Sequence, residues 1–558
     1  MCLQSNYKIW IQFCLVTLLS FIIMPFVSGQ DLKKEIYVVS SYKPRIADAE
    51  KIASMPSILD TAKIKTETEY NLLPSRIKTD YTLRPIKAAK MVGTPLDKLY
   101  KSYLKLGLGN YVTPLAEFSI HNLRSKDYAV GAYIFHKSSY NKLELTNGAK
   151  VPAGYGRNEV SVYGKKFYDN INLTADLGLN THRVRQYGYN VDNFPDSIPE
   201  PETEDIKQSF FHIYGAAGVY SVNPDSGAFN FSVNLLGEYY QDHFKNKEPH
   251  FNIRGMVSYP IKSFRFGLDA SYDYFTFSYQ PEKESIVMLR PFALKRKAEW
   301  ELKLAAKLFF ENRDGSRGYI FPDASFRFRI VEEALVMNIA VTGSIENNSY
   351  LSVTTENPFL IPGINPRNTI HFFKALGGIE GQLNRNMAYR LNVTFDALED
   401  ALFFINDTST LLQNQFGVVY DNTDLIQYHG EFSWDPLTYL SFFLKANYYN
   451  YKMTAEDHPW HKPATDITFA AIYNFKEKIF LEFDYLFLGK RYAQNYNDPG
   501  DPFLLKPVHD LNLKLEYKYS NILSGFIHVY NLLSQKYYLW NFYPNQRLNV
   551  LIGVTYKF

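Results

Sequence analysis

The four residues His458-Pro459-Trp460-His461 come closest in this chain to a metal-binding spacing. Imidazole nitrogens hold zinc when three or four ligands converge on one point. Here Asp457 adds little to the two histidines, which alone do not complete a site, and Pro459 puts the pair in a loop rather than on one helical face. A polar loop with ordinary histidines, and no metal, is the expectation. Glu482 and Asp484 are a second candidate, because paired carboxylates can flank the bond that a glycosidase cleaves. Two-residue spacing alone also puts both on the polar face of a strand, and no Ser/His/acid arrangement accompanies them. No Gly-rich phosphate loop joins a strand to a helix. The chain is therefore expected to have no catalytic residues and no cofactor, and not to be an enzyme. Two further charge sets remain, Arg265 with Asp269 and Asp273, and Lys303 with Lys307, each confined to one polar face. Charges lining a pore select solutes by sign and hydrogen bonding. They also satisfy one another, since a lone buried charge is costly. All seven are expected to face a lumen, most of them in a closed network.

The elements that carry these residues are short amphipathic strands. Phe264, Phe266, Leu268, Ala270, Tyr272 and Tyr274 alternate with Arg265, Gly267, Asp269, Ser271 and Asp273. Tyr389, Leu391, Val393 and Phe395 oppose Arg390, Asn392, Thr394 and Asp396. Ile479, Leu481, Phe483, Tyr485 and Phe487 oppose Glu482 and Asp484, and Leu511, Leu513, Leu515, Tyr517 and Tyr519 repeat the pattern. A period of two puts each set on one sheet face. After Val27 nothing supplies the roughly 20 apolar residues of a helical membrane span. Aromatics form 16% of the 558 residues, a load suited to two interfacial girdles. A soluble sandwich would also alternate, but closing so many strands into a ring removes the edge problem directly. The expected fold is all-β, a transmembrane antiparallel barrel of roughly 22 strands with both ends of the wall on the periplasmic side. Turn-rich stretches at 195–205, 344–368 and 495–507 are expected as extracellular loops. A formal charge of only +3 gives no basic field for nucleic acid.

The first 29 residues read as a signal peptide: Lys8, an apolar run from Trp10 to Val27, and small residues at Val27-Ser28-Gly29. Cys2 and Cys14 would leave with it, so the mature chain would have no disulfide, cysteine nucleophile or cysteine ligand. Residues 30–100 lack sustained alternation and read as a short periplasmic or lumen-facing extension. The barrel is expected over 101–558.

The chain's last strand places Val550, Ile552, Val554, Tyr556 and Phe558 on one face, with Leu551 the apolar exception opposite. Before it stand Val529-Tyr530-Asn531-Leu532-Leu533, Lys536-Tyr537-Tyr538 and Tyr543-Pro544-Asn545-Gln546-Arg547. Together these segments resemble the final hairpin of TonB-dependent outer-membrane receptors, with Leu533 at the usual Phe place and Gln546 where Gly is common. Asn357-Pro358-Phe359-Leu360 and Leu376-Gly377 resemble the family's mid-barrel signature. The stretch before the barrel is shorter than the family's plug, which makes the chain similar to the plug-poor receptor-like barrels of the Bacteroidota. The resemblance implies a place in the cell outer membrane and contact with its lipid. It also implies insertion by the barrel assembly machinery, with Tyr556 and Phe558 as the assembly signal. Ile36-Tyr37-Val38-Val39 is similar to the segment that contacts TonB, which, with other membrane or periplasmic proteins, is an expected partner. The implied function is uptake or transport of an unidentified solute. A structural or assembly scaffold in an outer-membrane complex is the alternative.

Overall fold

Alternating apolar and polar residues give a strand one lipid-compatible face and one wet face, and this chain repeats that unit twenty-two times in a single antiparallel sheet. The computed structural model describes residues 99–558, except 195–198, 200–201, 223–227, 280–282 and 314. The expected signal peptide and Ile36–Val39 lie outside the described residues. The sheet runs from Ser102–Gly109 to Asn549–Lys557, and these two strands pair with each other in register, Leu104 opposite Tyr556 and Leu108 opposite Ile552. Ser102 and Phe558 exchange both backbone hydrogen bonds, at 2.9 and 3.0 Å. The ring is thereby closed without an edge strand.

Leu106, Leu108, Val554 and Ile552 all point away from the ring at this seam, and Leu108 is 63% exposed. The same outward pattern continues with Leu177, Val162, Phe266, Leu391 and Ile320. A belt of bare aliphatic and aromatic side chains of this extent is stable only against hydrocarbon. The protein is a membrane-spanning barrel of the outer-membrane type. Inside the seam Leu115, Phe526 and Leu551 form a buried cluster. Gly553 makes room for it: a Cβ there would lie 2.1 Å from the Leu106 carbonyl oxygen and 2.4 Å from the Phe526 ring.

The two ends of the barrel differ. At the end that holds Ser102 and Lys557, strands turn over in a few residues, as at Lys262-Ser263 between Lys247–Ile261 and Phe264–Thr276. The opposite end carries long connections at 140–154, 186–206, 347–368, 489–507 and 531–548. Short turns are periplasmic and long loops extracellular in barrels of this type. Of the stretches expected as extracellular loops, 344–368 and 495–507 fall at the long-loop end, as do the described residues of 195–205.

Candidate functional site: the loop-covered mouth

Twenty-two strands spaced about 4.8 Å apart and tilted roughly 40° enclose a ring on the order of 40 Å across. Inward side chains alone cannot fill such a space, so what crosses it decides what passes.

The polar face forms lateral ion pairs along the wall. Asp269 has 3% of its side chain exposed and takes Arg254 and Arg290 at 2.9 and 3.0 Å. Arg290 and Lys303 share Asp323, the lysine at 2.8 Å. Lys307 donates to Thr342 Oγ1 and the Gly343 carbonyl, and Arg265 to Ser258 Oγ and the Ala228 carbonyl. Asp273 receives His250, whose other nitrogen meets Glu238. Lys514 bridges Glu482 and Asp484 at 2.5 and 3.0 Å. The seven residues singled out from sequence thus sit in two stretches of wall, Asp269 and Lys303 being linked through Arg290 and Asp323 in one and Glu482 and Asp484 lying in the other, each bonded to near neighbours rather than gathered at one site.

The extracellular loops are different: they turn inward. Within 347–368 lies a short helix, Tyr350–Glu356, begun by Ser349, whose hydroxyl accepts from the Ser352 N–H. The Glu248 carboxylate, from the wall, accepts from the N–H groups of Tyr350 and Leu351 at 2.6 and 3.2 Å. Tyr350 donates its hydroxyl to Asp242 at 2.7 Å, and the Asn368 amide reaches both Glu284 and Glu311. Both flanks of the loop are therefore pinned to the wall by buried charge-assisted hydrogen bonds, the stronger kind.

The apolar part of that loop meets side chains from 186–206, from 531–548 and from the strand ends that flank 407–415. Leu360, Phe404, Phe416, Val353, Ile364 and Tyr543 form one buried cluster, with Tyr187 and Trp540 against it. Phe359 stacks on Tyr543 with ring centres 3.9 Å apart, and Tyr187 meets Tyr543 edge-on at 5.0 Å. Asn414 donates to the Gln186 carbonyl at 2.6 Å and Gln415 to Gln186 Oε1 at 2.9 Å. Gln186 follows the strand Ile171–Arg185, and Asn414 lies between Met387–Asn406 and Phe416–Leu437, nearly half the ring away. The loops thus join across the mouth.

His461 belongs to this cap rather than to a metal site. The Phe404 carbonyl can only accept, so Nδ1 carries the proton and donates to it at 2.9 Å; Nε2 then accepts from the Asn541 N–H at 3.3 Å. Burial pushes its pKa down to about 3, helped by the cations Arg491 and Lys462. His458 instead stacks on Tyr492, 4.3 Å between centres. Among the described residues no group of three or more His, Cys, Asp or Glu is arranged to hold a metal.

Against the cap's Tyr187 and Phe359 lies a cavity of about 380 Å³, bordered by Lys137, Asp510, Tyr530 and Arg547. Lys137 lies over the Tyr530 ring at 4.9 Å, and Tyr537 donates to Asp510 at 2.6 Å. A space with cations, phenols and one carboxylate suits a polar solute rather than an alkyl chain. In the sequence Phe359, Tyr530, Tyr537, Tyr543 and Arg547 stand out only as parts of the receptor-like segments, and Lys137, Tyr187, Asp510 and Trp540 not at all; none reads there as part of a cap or a binding cavity. The available signal was composition: Tyr187, Tyr189, Phe359, Leu360, Ile361, Trp540, Phe542 and Tyr543 are apolar residues in segments that a solvated loop would fill with polar ones.

No protein-family model and no curated protein matches the chain. Solved structures do. The siderophore receptor PirA from Acinetobacter baumannii aligns over 83% of this chain and 81% of its own, with a TM-score of 0.63 and 9% identity. The FrpB iron transporter from Neisseria meningitidis (F3-3 variant) aligns over 83% and 82%, with a TM-score of 0.61 and 10% identity. The pyoverdine outer membrane receptor FpvA from Pseudomonas aeruginosa PAO1, bound to pyoverdine, gives 83% and 79%, 0.62 and 11%. At such identities the likeness is one of fold.

Proposed function

We propose that this chain is a receptor-like outer-membrane barrel that takes up a polar solute through a gated mouth, in the manner of TonB-dependent receptors. The observation that carries this reading is the joining of opposite loops through Gln186, Asn414 and Gln415 over the aromatic cluster. An open diffusion pore needs no such lid. A receptor does, because a solute bound at the loops must be admitted while others are held back. The solved barrels of like fold are iron or siderophore receptors and transporters by name, which favours an uptake role here too. A TonB-type partner acting from the periplasm through Ile36–Val39 belongs to the same reading.

The test is to lock the lid. With cysteines at Gln186→Cys and Gln415→Cys joined by a short thiol cross-linker, cells should lose uptake of the cognate solute, and reduction of a cleavable linker should restore it. Uptake unchanged by a verified cross-link rejects the gated mouth. Recovery of the barrel from native membranes only inside a stable multiprotein complex, with no solute bound or taken up, would replace uptake with the scaffold role.

A further inference from the structure

Outside the barrel, at the extracellular margin of its apolar belt, lies a polar groove of about 480 Å³ that the uptake reading does not use. It spans the neighbouring strands Tyr128–Ser139, Tyr155–Phe167, Ile171–Arg185 and Lys207–Ser221. Along these strands Ile134, Val160, Leu177 and Ile213 point outward, each at least 40% exposed. Nearer the long-loop end the same outward face turns polar on three of the four strands, with Phe211 the apolar exception opposite Thr181. His136 pairs with Asn158 and Asn158 with Thr181; one step further Gly156 is opposite Arg183 and Arg183 opposite Ser209.

The polar side chains are built into a chain of bonds. Ser138 donates to His136 Nε2 at 3.1 Å, and His136 Nδ1 donates to Asn158 Oδ1 at 2.6 Å. Asn158 Nδ2 in turn donates to Thr181 Oγ1 at 2.8 Å. With its oxygen already accepting, the Thr181 hydroxyl proton is left to point into the groove, two residues from Arg183. Arg183 is exposed and has no hydrogen-bond or ion-pair partner among the described residues. Arg185 is held by the Thr203 carbonyl. Asp242, the one carboxylate bordering the groove, is buried and engaged by Tyr350 and Asn246 on the inner side. The groove therefore offers a free guanidinium and neutral donors, with no anion to satisfy them.

We propose that this groove binds the phosphorylated sugar headgroup of an outer-leaflet glycolipid, its phosphate on Arg183 and its acyl chains against Ile134, Val160, Leu177 and Ile213. The position follows from the wall itself: the groove begins where the lipid-facing belt ends, the level at which headgroups stand. An Arg guanidinium is the side chain suited to a phosphate at such an interface. The volume is several times that of a phosphate, and the His136–Asn158–Thr181 chain supplies donors for sugar oxygens beside it. The inference rests on the long-loop end facing outward, and not on what the barrel takes up.

Full-length barrel in phosphatidylcholine nanodiscs doped with lipid A, a bis-phosphorylated glycolipid, can be examined by native mass spectrometry for retained lipid. Retention of one lipid A per barrel is expected, reduced about tenfold by Arg183→Ala and comparably when the lipid is dephosphorylated, in line with loss of one charge-assisted contact. Equal retention of phosphorylated and dephosphorylated lipid by the wild-type barrel overturns the proposal without reliance on any variant. So does equal retention by wild-type and Arg183→Ala barrels. Displacement of lipid A by millimolar inorganic phosphate would make the groove a free-phosphate site and overturn the lipid assignment.

Discussion

At the scale of single residues, the cap depends on side chains whose protonation and hydrogen bonding leave no slack. His461 is the clearest. Its Nδ1 proton is given to Phe404 and its Nε2 lone pair receives Asn541, so a second proton has nowhere to go without expelling the Asn541 N–H. With a folded pKa of about 3 against an ordinary value near 6.5, the open loop binds the proton more readily than the closed cap does. Closure is therefore fully favoured above about pH 6.5 and weakens by up to about 1.4 kcal/mol per pH unit as pH falls toward 3. Trp540 lies 5.3 Å from the imidazole and reports on it. Its fluorescence, or amide exchange at Asn541, should show cap loosening between pH 6.5 and 4 in the wild type and a flat profile in His461→Gln. A wild-type signal constant over that range would mean that His461 does not govern closure. The same residue illustrates what a sequence can mislead about: its place in His458-Pro459-Trp460-His461 invites a metal reading, and only burial shows both nitrogens already committed.

Elements were legible to the extent that their reason for existing is local. A strand between lipid and lumen must alternate, so Phe264–Thr276 or Val508–Lys518 could be read from side-chain period alone, and their number followed. The loops obey no such period. Helix Tyr350–Glu356 is only seven residues long, too short to hold itself together in water, and its pattern is unremarkable. It forms because Glu248, distant by about a hundred residues, supplies acceptors for its first N–H groups, and because Phe210, Tyr240 and Asp242 bury Tyr350, with Tyr240 also hydrogen-bonded to Thr354. Such information is tertiary and cannot be read from the segment itself. The consequence is testable on that element. Glu248→Gln leaves one acceptor oxygen where two are in use, and an amide in place of a charge, with an expected cost of about 1–3 kcal/mol to the docked helix. Hydrogen exchange across 347–368 should accelerate by roughly tenfold to a hundredfold, while the wall strands stay as protected as before. Unchanged exchange in the helix would assign its stability to the aromatic contacts instead.

For the whole molecule, the decisive step is closure of the ring, because twenty-one pairings leave two long edges and the twenty-second removes both. That last pairing joins Ser102–Gly109 to Asn549–Lys557, segments more than 400 residues apart, so its loop-closure cost is met late. Phe558 stands just past the last strand residue. Its backbone completes the seam against Ser102, while its ring, 52% exposed, stacks on Tyr556 at 5.4 Å and faces outward. An aromatic with so little burial contributes little to the finished wall, yet it is well placed to be recognised before closure. Deletion of Phe558 should therefore slow the appearance of heat-resistant, folded barrel in pulse-chase experiments by several-fold, and leave the unfolding temperature of the barrels that do form nearly unchanged. Loss of the terminal pair of backbone hydrogen bonds alone predicts the reverse balance: normal assembly followed by a less stable seam, at about 1 kcal/mol per bond. Measuring rate and stability on the same deletion separates the two, and a normal assembly rate would remove Tyr556 and Phe558 from the role of assembly signal.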